Sequence, residues 1–451
     1  MVSTVKSEEH SYIVVIPDRD LLQGQNYNSC LDVPCIFDED WVYQSKPSLY
    51  LRQRQLLRTP VCEQKYSRRR IPTPISMRNF AYWLCNFLEW IAIRKKKWRS
   101  LRFVEDILFG YQAEMLNGKW SSKGTPLAPR TINCRVGVAC DYLAWTAQAG
   151  YRKDFVIGTH PINVPIASST QTAISNVWEK ESRDGTVRIP PSYLRMPSDI
   201  EVKQWLEGVG RRWGYVKCLM CRLIIATAIR REECVQWQLD TLPLNRSDWN
   251  VIGSQVKVDV CYGAKGTKVT LDNGLTIGPE RQVFLPLTLA EEIDAYRKLK
   301  RVQLQAKHVR GGKTQEERLS RKLNASTRLF LSEKTGTAIS AQTLYDAWTD
   351  VSPLPFKGWH PHLGRHYWVC KKLVQRCLPV LDENGKQLVK YNGHDDLKSS
   401  VQDVIALEVK PQLGHVSANS SEAYMKWMQQ LVNLPSIYDQ YQDNLENIVD
   451  R

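Results

Sequence analysis

Tyr424 closes the stretch Leu413–Tyr424, LGHVSANSSEAY, with His415 nine residues before it, and their types could make a nucleophile with a cationic neighbour. A phenol titrates near pH ~10, so it attacks at neutral pH only with help from nearby positive charge or a base. In one unbroken helix, at about 100° per residue, the two side chains would point to opposite faces, so the chain must bend between them. Gly414, Ser417, Asn419 and Ser420 supply turn and capping chemistry, and a helix is expected to begin near Ser420. Tyr424 would then sit in a first turn, where the helix dipole favours an anion. The same stretch also reads as a loop followed by a buried core tyrosine.

Three earlier islands carry the same kind of chemistry. ATAIRREE sets Arg230 and Glu233 on one face of a helix start; YGAKGTK sets Lys265 in the glycine-rich turn of a hairpin; HPHLGRH sets His362 and Arg365 on one helical face. Taken singly, each has a plain structural explanation: a helix ion pair, a solvated turn lysine, a chance spacing. Their order along the chain is what separates them from coincidence.

The elements that must position these groups follow from composition and periodicity. At 451 residues, two or three domains are expected. A formal charge of +15, with a pI near 9.2 and 24% charged residues, describes a folded, strongly basic chain whose partner is a polyanion, nucleic acid ahead of a membrane surface. The N-terminus has only a short apolar run flanked by acids, so neither a signal peptide nor a membrane span is expected. The twelve cysteines are scattered, and Cys218 with Cys221 forms a lone CxxC without a second pair to complete a zinc site.

Residues 1–70 offer one strand, Tyr12 to Ile16, and end in the basic run Ser67 to Pro72; the segment is expected to be an extension, arm or accessory DNA-binding piece. Apolar residues at three- and four-residue steps predict three helices over residues 71–155: Phe80 to Ile91, Val104 to Met115, and one after Pro129 that stops near Gly150. Residues 156–194 lose periodicity and gain Pro and Ser, which predicts a linker with one short helix around Ser175 to Lys180. From Ser198, with Glu201 a capping box, the chain reads as a mixed α/β domain over residues 195–435. Its helices are expected at Val216 to Ile225, Arg231 to Trp237, Leu289 to Lys300 and Ala341 to Trp348, its strands at Gln255 to Tyr262, Lys268 to Leu271 and Gln282 to Leu285. Two segments read as insertions: a basic block at about 300–325, expected to be mobile until it meets an anion, and a hairpin at about 378–400 around Asn384-Gly385. An apolar helix face follows Tyr424, and residues 436–451 form a polar tail.

The order Arg, Lys, HxxR, then Gly-His with a tyrosine nine residues on resembles the tyrosine recombinases, the phage-integrase family of site-specific recombinases. The resemblance covers about Pro197 to Met428, and more loosely the three-helix segment, similar to that family's core-binding domain. It implies an α+β multidomain protein: a mainly helical core-binding domain and a mixed α/β catalytic domain with a small β-hairpin sheet. Arg230, Lys265, His362, Arg365 and His415 match the family's catalytic positions, and Tyr424 its nucleophile. Ala228 and Gly364 depart from it, standing where the family usually has Gly and Leu; Lys268 is the alternative hairpin lysine.

Physical chemistry supplies a role for each. Guanidiniums at Arg230 and Arg365 bind phosphate oxygens bidentately and keep their charge. Lys265 suits the acid for a leaving 5′-oxygen, and His362 and His415 suit hydrogen-bond donors, with His362 also able to take the tyrosine proton. Glu233 is an orienting group. The implied reaction is cutting and rejoining of DNA through a 3′-phosphotyrosine, in integration or excision of a mobile element, with no cofactor and no metal. The implied partners are double-stranded recombination sites, a homotetramer whose tail docks on a neighbour, and accessory directionality or bending proteins; the implied location is cytoplasmic, at a bacterial or phage nucleoid. A type IB topoisomerase and an inactive DNA-binding regulator of the same fold are the rival readings.

Overall fold

The computed structural model describes residues 12–27, 30–60, 71–165, 177–190, 194–266, 269–271, 275–377, 394–414, 423–428 and 430–431. The chain is an α+β protein of two compact units, Met1–Pro191 and Ser192–Arg451. None of the described helices is long and apolar enough to cross a membrane.

In the first unit, strands β1 (Ile13–Val15) and β2 (Cys35–Phe37) pair antiparallel, with α1 (Arg19–Gly24) between them and α2 (Ser45–Gln55) after them. Helix α3 (Pro74–Ile93) starts on a Thr73 cap, whose hydroxyl accepts from Ser76 N, with proline in the first turn, where its missing N–H costs nothing. A π-helical segment (Phe103–Gln112) runs into α4 (Ala113–Leu116), and α5 (Pro129–Gln148) completes the bundle.

Two expectations fail here. Val14, Ile36, Tyr50 and Leu51 are buried with Met77, Leu84, Phe87 and Leu143 in one core, so residues 13–55 belong to this bundle and are not a separate arm. Tyr50 Oη donates to buried Asp141 at 2.6 Å, and Arg54 pairs with the same carboxylate, tying α2 to α5. The stretch expected to be a linker with a helix near Ser175 instead forms an antiparallel ribbon, β3 (Thr159–Pro165) on β4 (Val177–Arg183). Ser67 to Arg70 lie outside the described residues.

The second unit opens with α6 (Asp199–Trp213), capped by the Ser198–Glu201 box, and α7 (Tyr215–Thr227) packed on it. After α8 (Arg231–Val235) comes a four-stranded antiparallel sheet, ordered β5 (Asn250–Ile252), β6 (Gln255–Tyr262), β8 (Thr276–Pro286), β7 (Val269–Thr270). Valines 256, 258 and 260 alternate into the core against Val283 and Leu285. Helices α9 (Leu287–Lys298), α10 (Lys300–Arg310), α11 (Gln315–Leu323), α12 (Ala341–Thr349), α13 (Pro361–Cys377) and α14 (His394–Val404) follow. A π turn (Ile405–Val409) leads into the short α15 (Lys410–Leu413).

The basic block is built as helix rather than as a mobile segment. Arg297 is buried and donates to the carbonyls of Leu239, Leu242, Pro243 and Leu244; Arg301 is buried and donates to those of Ser326, Arg328 and Leu329. These arginines act as pegs that hold two loops, because a buried cation must find acceptors for its N–H groups. Of the expected hairpin insertion, residues 378–393 lie outside the described residues, and α14 begins at His394.

Gly364 has a steric cause. Trp205, Trp348 and Trp359 cluster, with the first two ring centroids 4.4 Å apart, and a Cβ at position 364 would come within 2.4 Å of the Trp348 indole. The indole fills the space a leucine would occupy. Gly364→Ala is therefore expected to destabilise the chain by about 1–3 kcal/mol, the usual cost of overpacking, read as a lower denaturant midpoint; an unchanged midpoint would contradict this packing.

Candidate functional site

The site is built from the end of α7 outward. Ala228 caps that helix in the left-handed region (φ 56°), its N–H donating to Ile224 O at 2.8 Å. An alanine pays roughly 1 kcal/mol for this conformation, which accounts for the glycine usual there; its methyl is buried beside Val369, Cys370, Leu413 and Tyr424. The reversal delivers Arg230 to the start of α8, where Glu233 reaches back to it. Arg230 N donates to Glu233 Oε2 at 2.6 Å, and Arg230 Nη1 to Oε1 at 2.9 Å.

A second cation shares that carboxylate. Arg281 on β8, its side chain 9% exposed, donates Nη2 to Glu233 Oε2 at 2.6 Å and Nη1 to Oε1. Glu233 is 1% exposed. Burial alone would raise its pKa, but the hydrogen bonds and charge of Arg281, with Arg230 adding to them, hold it below the usual carboxylate range. No motif in the sequence marks Arg281 as a site residue. Its signal was alternation: in β8 it shares a face with Val283 and Leu285, and an arginine on a buried face requires a buried partner.

Three guanidiniums then meet three consecutive carbonyls. Arg281 Nε donates to Gln412 O at 3.1 Å, Arg365 Nη2 to Leu413 O, and Arg230 Nη2 to Gly414 O at 3.3 Å; Arg365 Nη1 also donates to Ala228 O at 2.6 Å. The end of α15 leaves its last carbonyls unpaired and carries the negative end of the local dipoles, so cations are the natural partners. Buried Gln412 locks this rack: its Nε2 donates to Thr227 O at 2.8 Å, and its Oε1 accepts from Phe284 N at 2.9 Å. Gly414 has φ 56°, and a Cβ there would stand 2.7 Å from Arg281 Cδ. Among the described residues these bonds occupy two of the five N–H groups on each of Arg230 and Arg365, so donors remain there for an anion.

Helix α13 presents His362, Arg365 and His366. Arg365 is buried, and burial, with the charges of Arg230 and Arg281, pulls its pKa down to about 9; it stays charged at neutral pH. His362 is exposed, and partial enclosure followed by the cations Arg365, Arg230 and Lys265 lowers its pKa. Tyr424 lies in the helical residues 423–428 and is 2% exposed; burial and neighbouring Cys370 raise the phenol's pKa, with Arg365 opposing. Its Oη stands 2.6 Å from His366 Nδ1, so the phenol's hydrogen-bond partner among the described residues is His366, whereas the sequence offers His362 as a group also able to take the proton. Burial, then His362, Arg365 and His360, brings His366 down to about 4.

That shift has a thermodynamic sign. Between pH 6.5 and 4 the unfolded chain binds a proton at His366 that the folded chain does not, so stability falls as pH drops through this window. A contribution on the order of 3 kcal/mol is expected from the full shift, at about 1.4 kcal/mol per pKa unit. Denaturant melts at pH 7 and 4.5 should differ less for His366→Gln than for the natural chain; equal differences would contradict it.

Lys265 is exposed in the β6–β7 turn, near enough to act on His362. Gly263 lets that turn approach α8: at φ 69°, a Cβ would meet Glu232 O at 2.6 Å. The structure thus gathers Arg230, Glu233, Lys265, His362, Arg365 and Tyr424 in one region and adds Arg281 and His366. His415, Lys268 and the tail 436–451 lie outside the described residues.

No family model matches the chain, and no curated protein matches it. Several solved structures are similar to it. The XerH site-specific recombinase bound to a palindromic difH substrate, a post-cleavage complex, is 15% identical over 81% of this chain and 80% of that one, with a TM-score of 0.46. The Tn1549 transposon integrase in complex with a circular intermediate DNA is 12% identical over 84% and 98%, with a TM-score of 0.41. A lambda integrase dimer bound to a COC′ core site is 11% identical over 84% and 94%, with a TM-score of 0.41. All three are tyrosine recombinases.

Proposed function

We propose that this chain is a site-specific DNA recombinase of the tyrosine type, cutting and rejoining strands through a 3′-phosphotyrosine at Tyr424. One observation carries the reading. A histidine-bonded phenol shares a core cluster with Leu413, whose carbonyl holds Arg365, and Arg365 belongs to a rack of guanidiniums with donors to spare. Arg230, Arg281, Arg365 and Lys265 outweigh the Glu233 carboxylate, so the site calls for an anion. A scissile phosphate fits the chemistry: Arg230 and Arg365 bind its non-bridging oxygens and stabilise the charge that grows there. Glu233 and Arg281 orient Arg230, Lys265 protonates the departing 5′-oxygen, and His362, with His415, donates to the phosphoryl group.

Tyr424 is buried, so its phenol reacts once DNA binding has uncovered it. The +15 charge supplies sequence-independent affinity for the duplex. Integration or excision of a mobile element, by a homotetramer on paired sites with accessory directionality or bending proteins, is the setting that fits this chemistry.

The test is covalent trapping. A library of nicked duplexes with a randomised core is incubated with the full chain, and complexes that survive denaturation are isolated and sequenced. The proposal expects adducts on the 3′-phosphate at an enriched sequence. No adduct, or relaxation of supercoiled plasmids without sequence preference, would contradict it.

A further inference from the structure

We propose that His366 is the base of this site: its Nδ1 takes the Tyr424 proton as the phenol attacks phosphorus and returns it when the strand is rejoined. The inference rests on the recombinase reading above and assigns to His366 a step for which the sequence offers His362 as one able group.

The geometry points one way. Nδ1 and the phenol oxygen are 2.6 Å apart, the rings pack with centroids 5.5 Å apart, and both residues sit on helices, α13 and residues 423–428. A phenol carries a proton that must go to an acceptor when it is buried. Tyr424 is 2% exposed, and among the described residues His366 Nδ1 is the hydrogen-bond partner of its oxygen. Were Nδ1 protonated and donating, the phenol proton would be left without that acceptor. The favoured tautomer therefore has a bare Nδ1 and the proton on Nε2.

The groups facing His366 keep it in the neutral form that can accept. His362 lies edge-on with its ring centroid 4.6 Å away, and His360, one step further, stacks on His362 at 6.4 Å; Arg365 adjoins on the same helix. Burial first, and the Arg365 guanidinium beside it, oppose a charge on His366 at rest, and that same guanidinium stabilises the phosphate once it is bound. Proton transfer to His366 then accompanies loss of negative charge from the attacking oxygen, so the pair of events is coupled.

The step balances. The Tyr424 Oη–P bond forms, the P–O5′ bond breaks, the phenol proton moves to His366 Nδ1, and the 5′-oxygen leaves with a proton from Lys265. Rejoining reverses each transfer: the 5′-hydroxyl attacks, Lys265 takes its proton, and His366 reprotonates the released phenolate.

The test uses the full chain and the nicked duplexes recovered by trapping, with single-turnover cleavage followed from pH 6.5 to 9.5. In His366→Gln the amide oxygen can still accept the phenol hydrogen bond but cannot take a proton. Cleavage is expected to fall about 10²- to 10⁴-fold at pH 7. The gap from the natural chain should then close by about tenfold per pH unit, as phenolate forms without a base. A 5′-bridging phosphorothiolate duplex, whose leaving group needs no acid, should rescue Lys265→Ala and leave the His366→Gln defect in place. A gap that does not change with pH would reduce His366 to positioning, and no gap would remove it from the reaction; either overturns the inference. If the variant does not fold, histidine ¹⁵N NMR of the natural chain decides: a bare Nδ1 on His366 is expected, and a protonated one contradicts. If the natural chain forms no adduct, it is the recombinase reading that fails.

Discussion

Tyr424→Phe is expected to abolish covalent trapping on the nicked duplexes while leaving DNA affinity within about threefold. The substitution keeps the ring and its place in the cluster with Cys370, Leu413 and Met428, and removes one oxygen. What it costs in stability is the hydrogen bond to His366, about 1 kcal/mol. What it costs in chemistry is everything, because no other described hydroxyl contacts His366 beside the arginine rack. DNA affinity is spread over many basic residues, so a phenol that makes no ion pair contributes little to it. Gel-shift titration and denaturing electrophoresis of the same samples separate the two. Adducts surviving in the variant would show that another residue attacks.

Glu233→Gln is expected to cost about 3–5 kcal/mol of stability, the usual penalty when one partner of a buried ion pair is removed. The glutamine is nearly the same size, so the loss is electrical. Arg281 would stay buried against an amide, and Arg230 would lose its charged tether at both backbone and side chain. The sign with pH is fixed by the depressed Glu233 pKa: its contribution is present above the ordinary carboxylate value and lost as pH falls through the lowered folded value. Denaturant unfolding at pH 7 measures the penalty. Pairing the change with Arg281→Met should recover part of it, because the stranded charge is then gone. A penalty below about 1 kcal/mol would mean that Glu233 does not hold the rack.

Much of the molecule was legible because its signals are local. The three-helix periodicity, the Ser198–Glu201 capping box and the strand Gln255 to Tyr262 each appear as read, within a few residues. What escaped depends on partners far along the chain. Arg297 and Arg301 look like part of a solvated basic run until the carbonyls of residues 239–244 and 326–329 close around them. Arg281 looks like a strand charge until Glu233 and Gln412 meet it. The ribbon Thr159–Pro165 with Val177–Arg183 carries prolines at 161 and 165 and charged residues, so its composition imitates a linker. Helix Ser45–Gln55 buries little beyond Tyr50 and Leu51 among its large side chains, which leaves it almost no apolar face to read. His366 was visible beside Arg365, but nothing in the sequence places it against a tyrosine fifty-eight positions away.

The account rests on one bond, between a 3′-phosphate and the oxygen of Tyr424. The most direct measurement is to digest the trapped complex with protease and nuclease and locate the nucleotide by mass spectrometry. The expected result is a phosphonucleotidyl adduct on the peptide that contains Tyr424, bound through tyrosine and stable to hydroxylamine. An adduct on any other tyrosine, or on serine or histidine, would contradict the assignment of this site.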